Sequence, residues 1–238
     1  MTVFGAVFAR GGSKGVPGKN LRKVAGKSLL EHSISMGSSF PLIDKMICST
    51  DSFEIADEAS RLGADVPFLR PPELSGDTAP EWGAWRHLAT HLIGQGASES
   101  DVLVSLPATA PLREWEDIDA AIQTFGEGSF DVVLAVTESS RNPWFNMVQR
   151  ESSTGRVEIA VSAPLTTVNR RQDAPQLFDL TTVVYITSLG FVLRADRLFS
   201  GKVGSVLVPA ERAIDIDTEL DLEIAEFLVL RRLGFDDD

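Results

Sequence analysis

The chain predicts an α/β fold, a mostly parallel sheet with helices packed against both faces, and three observations point there. Short apolar runs that do not alternate recur at 3–9, 45–50, 101–106 and 130–136, as strands buried on both faces require. Segments with helical spacing lie between them, the pattern of strand–helix–strand units. The third is bulk: 238 residues, 43% hydrophobic and 24% charged, without repeats, a low-complexity linker or a shift in composition. Residues 1–238 therefore read as one domain with a sizeable core.

Each element follows from local signals. The run 3–9 stops abruptly at Arg10-Gly11-Gly12-Ser13-Lys14-Gly15, a strand feeding a loop. A helix is expected over 28–36, and a second strand over 45–50. Ser52 and Glu54 then open a helix in which Ile55, Ala59 and Leu62 recur at helical spacing, and Gly63 closes it. Helices over 80–93 and 114–125 flank the strand 101–106, and 130–136 is the fourth strand. The stretch 138–179 breaks the rhythm, with Asn142-Pro143, Ser152-Ser153-Thr154-Gly155 and Ala174-Pro175. It reads as an irregular or short antiparallel excursion exposed for a ligand or partner. Strands return at 181–187 and 205–208, and a helix over 218–233, capped by Gly234, ends the fold. Residues 236–238 read as a frayed tail.

Charge narrows the function. Lysine and arginine number 22 against 34 acids, a formal net charge of −12, which argues against a nucleic-acid binder or a protein lying on anionic membranes. The longest charge-free run, 180–193, has 14 residues, too few to cross a bilayer. A single cysteine, Cys48, excludes an intramolecular disulfide framework and a cysteine-built zinc site. With no secretory pattern after Met1, the expected location is cytoplasmic. Residues 10–27 oppose the overall field, holding Arg10, Lys14, Lys19, Arg22, Lys23 and Lys27 and no acid. A compact anion site is the simplest reason, and a solvated basic loop is the alternative.

Ligands of open α/β sheets sit at the carboxyl ends of strands. Here the first strand ends in Gly11, Gly12, Gly15 and Gly18 interleaved with Arg10, Lys14 and Lys19. Glycines let backbone approach phosphate oxygens, and the cations supply charge. It is no P-loop, because Lys19 is followed by Asn20 and Ser13 stands where that motif needs glycine; nor does it fit Gly-x-Gly-x-x-Gly.

Residues 9–20 resemble the nucleotide-binding segment of the CMP-N-acylneuraminate (CMP-sialic acid) synthetase family, the sugar-acid cytidylyltransferases. Collinear matches follow: Ser49-Thr50-Asp51-Ser52, Val66 to Pro71 with Glu73 to Asp77, Leu106 to Arg113, Arg170-Arg171-Gln172-Asp173 and Ile214-Asp215-Ile216-Asp217-Thr218. The resemblance spans nearly the whole chain. It implies a Rossmann-like nucleotide-diphosphosugar transferase fold and a homodimer in which the excursion reaches over the neighbouring site. The implied reaction joins CTP and a nonulosonic-type α-keto sugar acid to give the CMP-sugar and pyrophosphate, with Mg²⁺.

In that reading Arg10, Lys14 and Lys19 hold the phosphates and stabilise the leaving charge, with Gly11, Gly12 and Ser13 beside them. Asn20 either bonds the nucleotide or braces the loop, and Asp77 and Thr78 help read cytosine. Arg170, Arg171 and Gln172 face the sugar acid, where guanidinium groups suit a carboxylate. Asp215 and Asp217 alternate with Ile214 and Ile216, so both carboxylates lie on one side of an extended segment and suit Mg²⁺; capping the last helix is their bland alternative. Arg10, Lys19 and Asp217 form the expected catalytic set, and Arg113 is a further anion candidate.

Two departures stand out. Pro107 replaces the family's usual glutamine and Ala108-Thr109-Ala110 its Pro-Thr-Ser, and Thr181-Thr182 stands where sialic-acid enzymes usually carry Asn-Gly. Both leave the phosphate chemistry intact and point to a different sugar acid, of legionaminic, pseudaminic or amino-Kdo type. A non-catalytic nucleotide-binding module is the other alternative, which the paired acids disfavour. His87 and His91 read as helix-face residues, since Leu88 stands where a zinc motif needs glutamate. Trp82 and Trp85 read as packing, and Cys48 as a small core residue.

Overall fold

A computed structural model describes residues 1–13, 15–76, 78–161, 170 and 173–234. Strand β1 (Val3–Phe8) is followed by a small hairpin, β2 (Lys23–Val24) and β3 (Lys27–Ser28), then α1 (Leu29–Ser39), β4 (Lys45–Ser49) and α2 (Phe53–Arg61). Next come α3 (Glu81–Gly94), β5 (Val102–Ser105), α4 (Trp115–Gly126) and β6 (Val132–Glu138). The excursion carries β7 (Val148–Arg150) and β8 (Val157–Ile159), and the chain returns through β9 (Phe178–Ser188), α5 (Leu189–Arg194), β10 (Val203–Leu207) and α6 (Glu219–Arg232).

The central sheet has the order β10-β6-β9-β5-β1-β4. β1 runs parallel to β4 and β5, and β10 parallel to β6, while β9 lies antiparallel between β5 and β6. Helices cover both faces, as the unbroken apolar runs required. In β1, Phe4 and Ala6 pack toward Trp85 and Leu88 of α3, while Val7 faces the other layer with Leu30 and Ile34 of α1. The expected excursion is an antiparallel β7–β8 pair. Among the described residues no helix is long and apolar enough to cross a membrane.

One irregularity in the sheet positions the site. Leu134 of β6 pairs with Tyr185 of β9, but Val136 pairs with Leu180, so residues 181–184 oppose Ala135 alone and form a bulge, a device common beside active sites. Thr181 Oγ1 bonds the Ala135 carbonyl at 3.0 Å. The carbonyls of Val183 and Thr182 are taken by Arg113, whose guanidinium also reaches Pro107 O at 2.7 Å and Ser33 Oγ at 3.0 Å. Arg113 is 2% exposed, and burial works against its charge, with Asp117 working for it. The expectation that Arg113 offers charge to an anion is therefore corrected: every arm of its fork is spent on the fold. Beside it, buried Asp117 pairs with Arg212 at 3.0 Å, tying the start of α4 to the chain that leads to Asp215.

Arg113→Ala should strand several buried carbonyls at once and cost about 3 kcal/mol of stability, read by urea unfolding. A loss under about 0.5 kcal/mol, the range of ordinary surface changes, would contradict the assignment.

Candidate active site

The glycine loop at the end of β1 and the acidic segment before α6 meet at one cleft of about 400 Å³. Gly18, at φ +65°, turns the chain into the single helical turn Lys19–Leu21. Asn20, 7% exposed, donates Nδ2 to the Arg10 carbonyl at 2.9 Å. Of its two expected roles, the structure places it as a brace across the neck of the loop, at the cleft wall. The Gly11 amide donates to Asp51 Oδ1 at 2.9 Å, so that donor is committed to the junction after β4. At Gly15 a Cβ would stand 2.3 Å from the Asp217 carbonyl oxygen; only glycine lets these two stretches touch.

Lys19 completes the contact. Its Nζ donates to Ile216 O at 2.6 Å and to Asp217 Oδ1 at 2.9 Å. Asp217 is 72% exposed on its side chain and Lys19 16%, so the pair stands at the cleft surface. Arg10 lines the same cleft and reaches Gly76 O at 3.4 Å. The remaining bases of 10–27 divide differently. Arg22 forms a two-pronged pair with Glu219 at 2.7 and 2.8 Å, and the Ala25 amide donates to Glu226, so part of the basic segment docks on α6 rather than facing a ligand.

Asp215 is half-buried behind Asp217. Desolvation raises its pKa, the Asp217 charge adds to that, and hydrogen bonds from Thr109 and Thr182 oppose it. Its Oδ1 is buried with no hydrogen-bond partner among the described residues. Capping is not its role, nor that of Asp217: Thr218 caps α6 in a capping box with Asp221. A buried carboxylate oxygen without a donor, next to a second carboxylate, is the donor set a hard divalent cation prefers. Among the described residues no third acid or histidine completes a protein-only cage. Mg²⁺ would therefore fit only with phosphate oxygens and water filling its shell, its usual habit at nucleotide sites.

Two cleft residues had no role assigned in the sequence. Arg70, 5% exposed, is held by Ser75 Oγ at 3.1 Å and lies 3.9 Å from Asp51. It stood in a matched segment, yet nothing there distinguishes it from a surface arginine. Glu81 opens the first turn of α3, accepts the Trp85 indole N–H at 3.1 Å and lines the cleft. Desolvation by the walls holds its carboxyl above the ordinary range, Asp215 adds to that, and Trp85 and Arg70 pull it down.

Ser13 lines the cleft and Gly12 lies in the loop beside it, whereas Thr78 is exposed and is not a wall residue. Lys14, Asp77, Arg171 and Gln172 lie outside the described residues. Arg170 is also away from the cleft walls and pairs with Asp173 at 3.1 Å. His87 and His91 pack edge-on to Phe68, and Trp82, Trp85, Phe8 and Tyr185 form an aromatic cluster, both as expected. Cys48 is buried and its thiol pushed up to about 12 by desolvation.

An α/β sheet with a cationic loop and paired acids at its strand ends defines a nucleotidyltransferase. Residues 5–188 match the family model described as Cytidylyltransferase, and the chain belongs to that family. It is 35% identical over 223 residues to post-translational flagellin modification protein B of Campylobacter coli, covering 94% of this chain and 93% of that one. It is 33% identical, with the same coverage, to CMP-N,N'-diacetyllegionaminic acid synthase of Campylobacter jejuni. In fold it resembles CMP:2-keto-3-deoxy-manno-octonic acid synthetase complexed with CTP, at a TM-score of 0.72 and 14% identity, covering 98% of this chain and 100% of that one.

Gly15→Ala should drive the loop off Asp217 and weaken CTP binding by about tenfold or more, since ångström-scale misplacement is costly at such sites. Calorimetric titration checks this, and unchanged affinity would contradict the contact's importance.

Proposed function

We propose that the protein transfers the cytidylyl group of CTP to a nonulosonic-type sugar acid, releasing pyrophosphate, with a divalent cation of the Mg²⁺ class. The observation that carries the reading is the convergence of Lys19 and Asp217, almost 200 residues apart, at 2.9 Å. The relative that makes a CMP-diacetyllegionaminic acid, together with Pro107 and Thr181-Thr182 in place of the residues usual in sialic-acid enzymes, favours an acceptor of the legionaminic kind.

The reaction is an in-line displacement: the anomeric hydroxyl attacks the α-phosphorus as pyrophosphate leaves, and such steps respond to positioning and to charge stabilisation. Arg10 and Lys19 supply that charge on the loop side, with Lys14 on the same loop. Gly12 and Ser13, on the same loop, are assigned to the phosphates with them. Asp215 and Asp217 would hold the cation, whose contribution is to neutralise charge on the triphosphate and the attacking oxygen. Arg171 and Gln172, in the excursion, are assigned to the sugar carboxylate, and Arg170 is left out of that set because its guanidinium is paired with Asp173. A non-catalytic nucleotide module is disfavoured because an unpartnered Asp215 Oδ1 beside Asp217 adds only repulsion to simple triphosphate binding.

The excursion supports a homodimer. Val148, Val157 and Ile159 are all exposed on β7 and β8, and Phe178 and Leu180 are exposed where β9 begins. Val148 faces Ile159 across the ladder and Val157 lies two residues from Ile159 on the same strand, so these three side chains share one apolar face of the kind that subunits cover. A reducing, cytoplasmic location is supported by the single unpaired cysteine.

Purified protein with each of the four NTPs, Mg²⁺ and a panel of sugar acids should release pyrophosphate with CTP and a diacetylated nonulosonic acid. No release with CTP and any acid of the panel would reject the reading. Asp217→Ala should keep its Tm within a few degrees and lose at least about 10²-fold in kcat; wild-type turnover at saturating Mg²⁺ would remove its role. Ile159→Glu should shift the dimer to monomer by light scattering, and an unchanged mass would contradict the interface.

A further inference from the structure

The Lys19–Asp217 pair joins one anchored partner to one that is free to turn. The Lys19 side chain is 16% exposed, and its Nζ donates to Ile216 O at 2.6 Å as well as to Asp217 Oδ1 at 2.9 Å. Ile216 is fully buried and its amide donates to Thr109 O at 2.9 Å, so the ammonium is tied to backbone that is itself held. The backbone of Asp217 is fixed as well: its amide donates to Asp221 Oδ2 at 3.0 Å, and its carbonyl lies against Gly15. The Asp217 side chain is 72% exposed, and the Lys19 contact is the one hydrogen bond its carboxyl makes among the described residues. Rotation of that carboxyl alone breaks the pair.

Both residues line the cleft with Arg10 and Gly15, where a triphosphate competes for the same ammonium. An ammonium has three donors, and an ion pair with an exposed carboxylate is weak in water. A phosphate oxygen therefore replaces Asp217 Oδ1 on Nζ while the lysine keeps its bond to Ile216 O. Until that exchange the positive charge 2.9 Å from Asp217 repels a second cation from the carboxylate. Among the described residues no group of three acids or histidines offers a metal ion another place.

We infer that Lys19 is a latch on the cation site: in the free protein it closes Asp217 to divalent cations, and an incoming triphosphate releases Asp217 by taking its place on the ammonium, so that nucleotide binds before metal. The inference rests on the cation reading of the proposed function. It gives one lysine two successive counter-ions, a carboxylate in the empty cleft and a phosphate in the filled one. The exchange keeps the acid from collecting metal when no nucleotide is present.

The test follows Mn²⁺ binding to the full chain by electron paramagnetic resonance. Without nucleotide, Lys19→Met, which keeps the length and removes the charge, should bind Mn²⁺ about tenfold more tightly than wild type, whereas Lys19→Arg stays near wild type. Adding Asp217→Asn to Lys19→Met should abolish the gain. With saturating α,β-methylene CTP the advantage of Lys19→Met should vanish, because the phosphate has then freed Asp217 in wild type too. Lys19→Gln serves if Lys19→Met unfolds. Nucleotide-free affinity at or below wild type in the uncharged variants would overturn the inference, as would an equal gain in Lys19→Arg, a gain that survives Asp217→Asn, or an advantage that persists with the nucleotide. Pyrophosphate release is measured separately. A wild type that turns over no sugar acid, with the Lys19→Met gain present, overturns the proposed reaction and upholds the latch; turnover without the gain does the reverse.

Discussion

The site depends on one contact between distant parts of the chain. The loop after β1 touches the segment before α6 because Gly15 has no side chain to hold it away from the Asp217 carbonyl. That approach lets Lys19 reach both Ile216 O and Asp217 Oδ1. As an ion pair with a largely exposed carboxylate it adds at most about 1 kcal/mol to stability. Its consequence is geometric: Lys19 and Asp217 are held at one cleft with Asp215 half-buried beside them, where a polyphosphate brings charge that they can answer. Arg22–Glu219 and the Ala25–Glu226 contact extend the same seam along α6.

Buried charge elsewhere serves that seam. Arg113 and Asp117 are each 2% exposed, and desolvation opposes the charge of both. Such groups seldom repay their desolvation as stability alone. Here they hold chain that no ladder holds: Arg113 the bulged carbonyls of β9 and the Pro107 turn, Asp117 the approach to Asp215 through Arg212. An apolar core at these positions would leave the strand ends without hydrogen-bond partners.

Much of this was legible in the sequence. Unbroken apolar runs gave the strands, because burial on both faces erases the polar alternation. Ser52, Thr218 and Gly234 marked helix ends through capping chemistry that needs no tertiary context. The glycine–cation loop could be named because basic charge is concentrated there against the chain's own field, and the Asp215–Asp217 pair because the acids alternate with Ile214 and Ile216 in a segment that resembles the family. Strand direction was not legible, since β9 is as apolar as its parallel neighbours and antiparallel pairing leaves no mark on composition. Arg113 looked like Arg10, an arginine after a strand, and only burial separates them. Glu81 and Arg70 acquire meaning from burial in the cleft wall, which no local pattern records.

A crystal structure of the protein with CTP and Mg²⁺ is the most direct measurement. The account predicts one triphosphate with an oxygen within about 3.2 Å of Lys19 Nζ, the glycine loop wrapped on one side, and the Asp215 and Asp217 carboxylates turned to the same group from the other. A triphosphate engaged by only one of those two segments, with the other facing empty solvent, would contradict it.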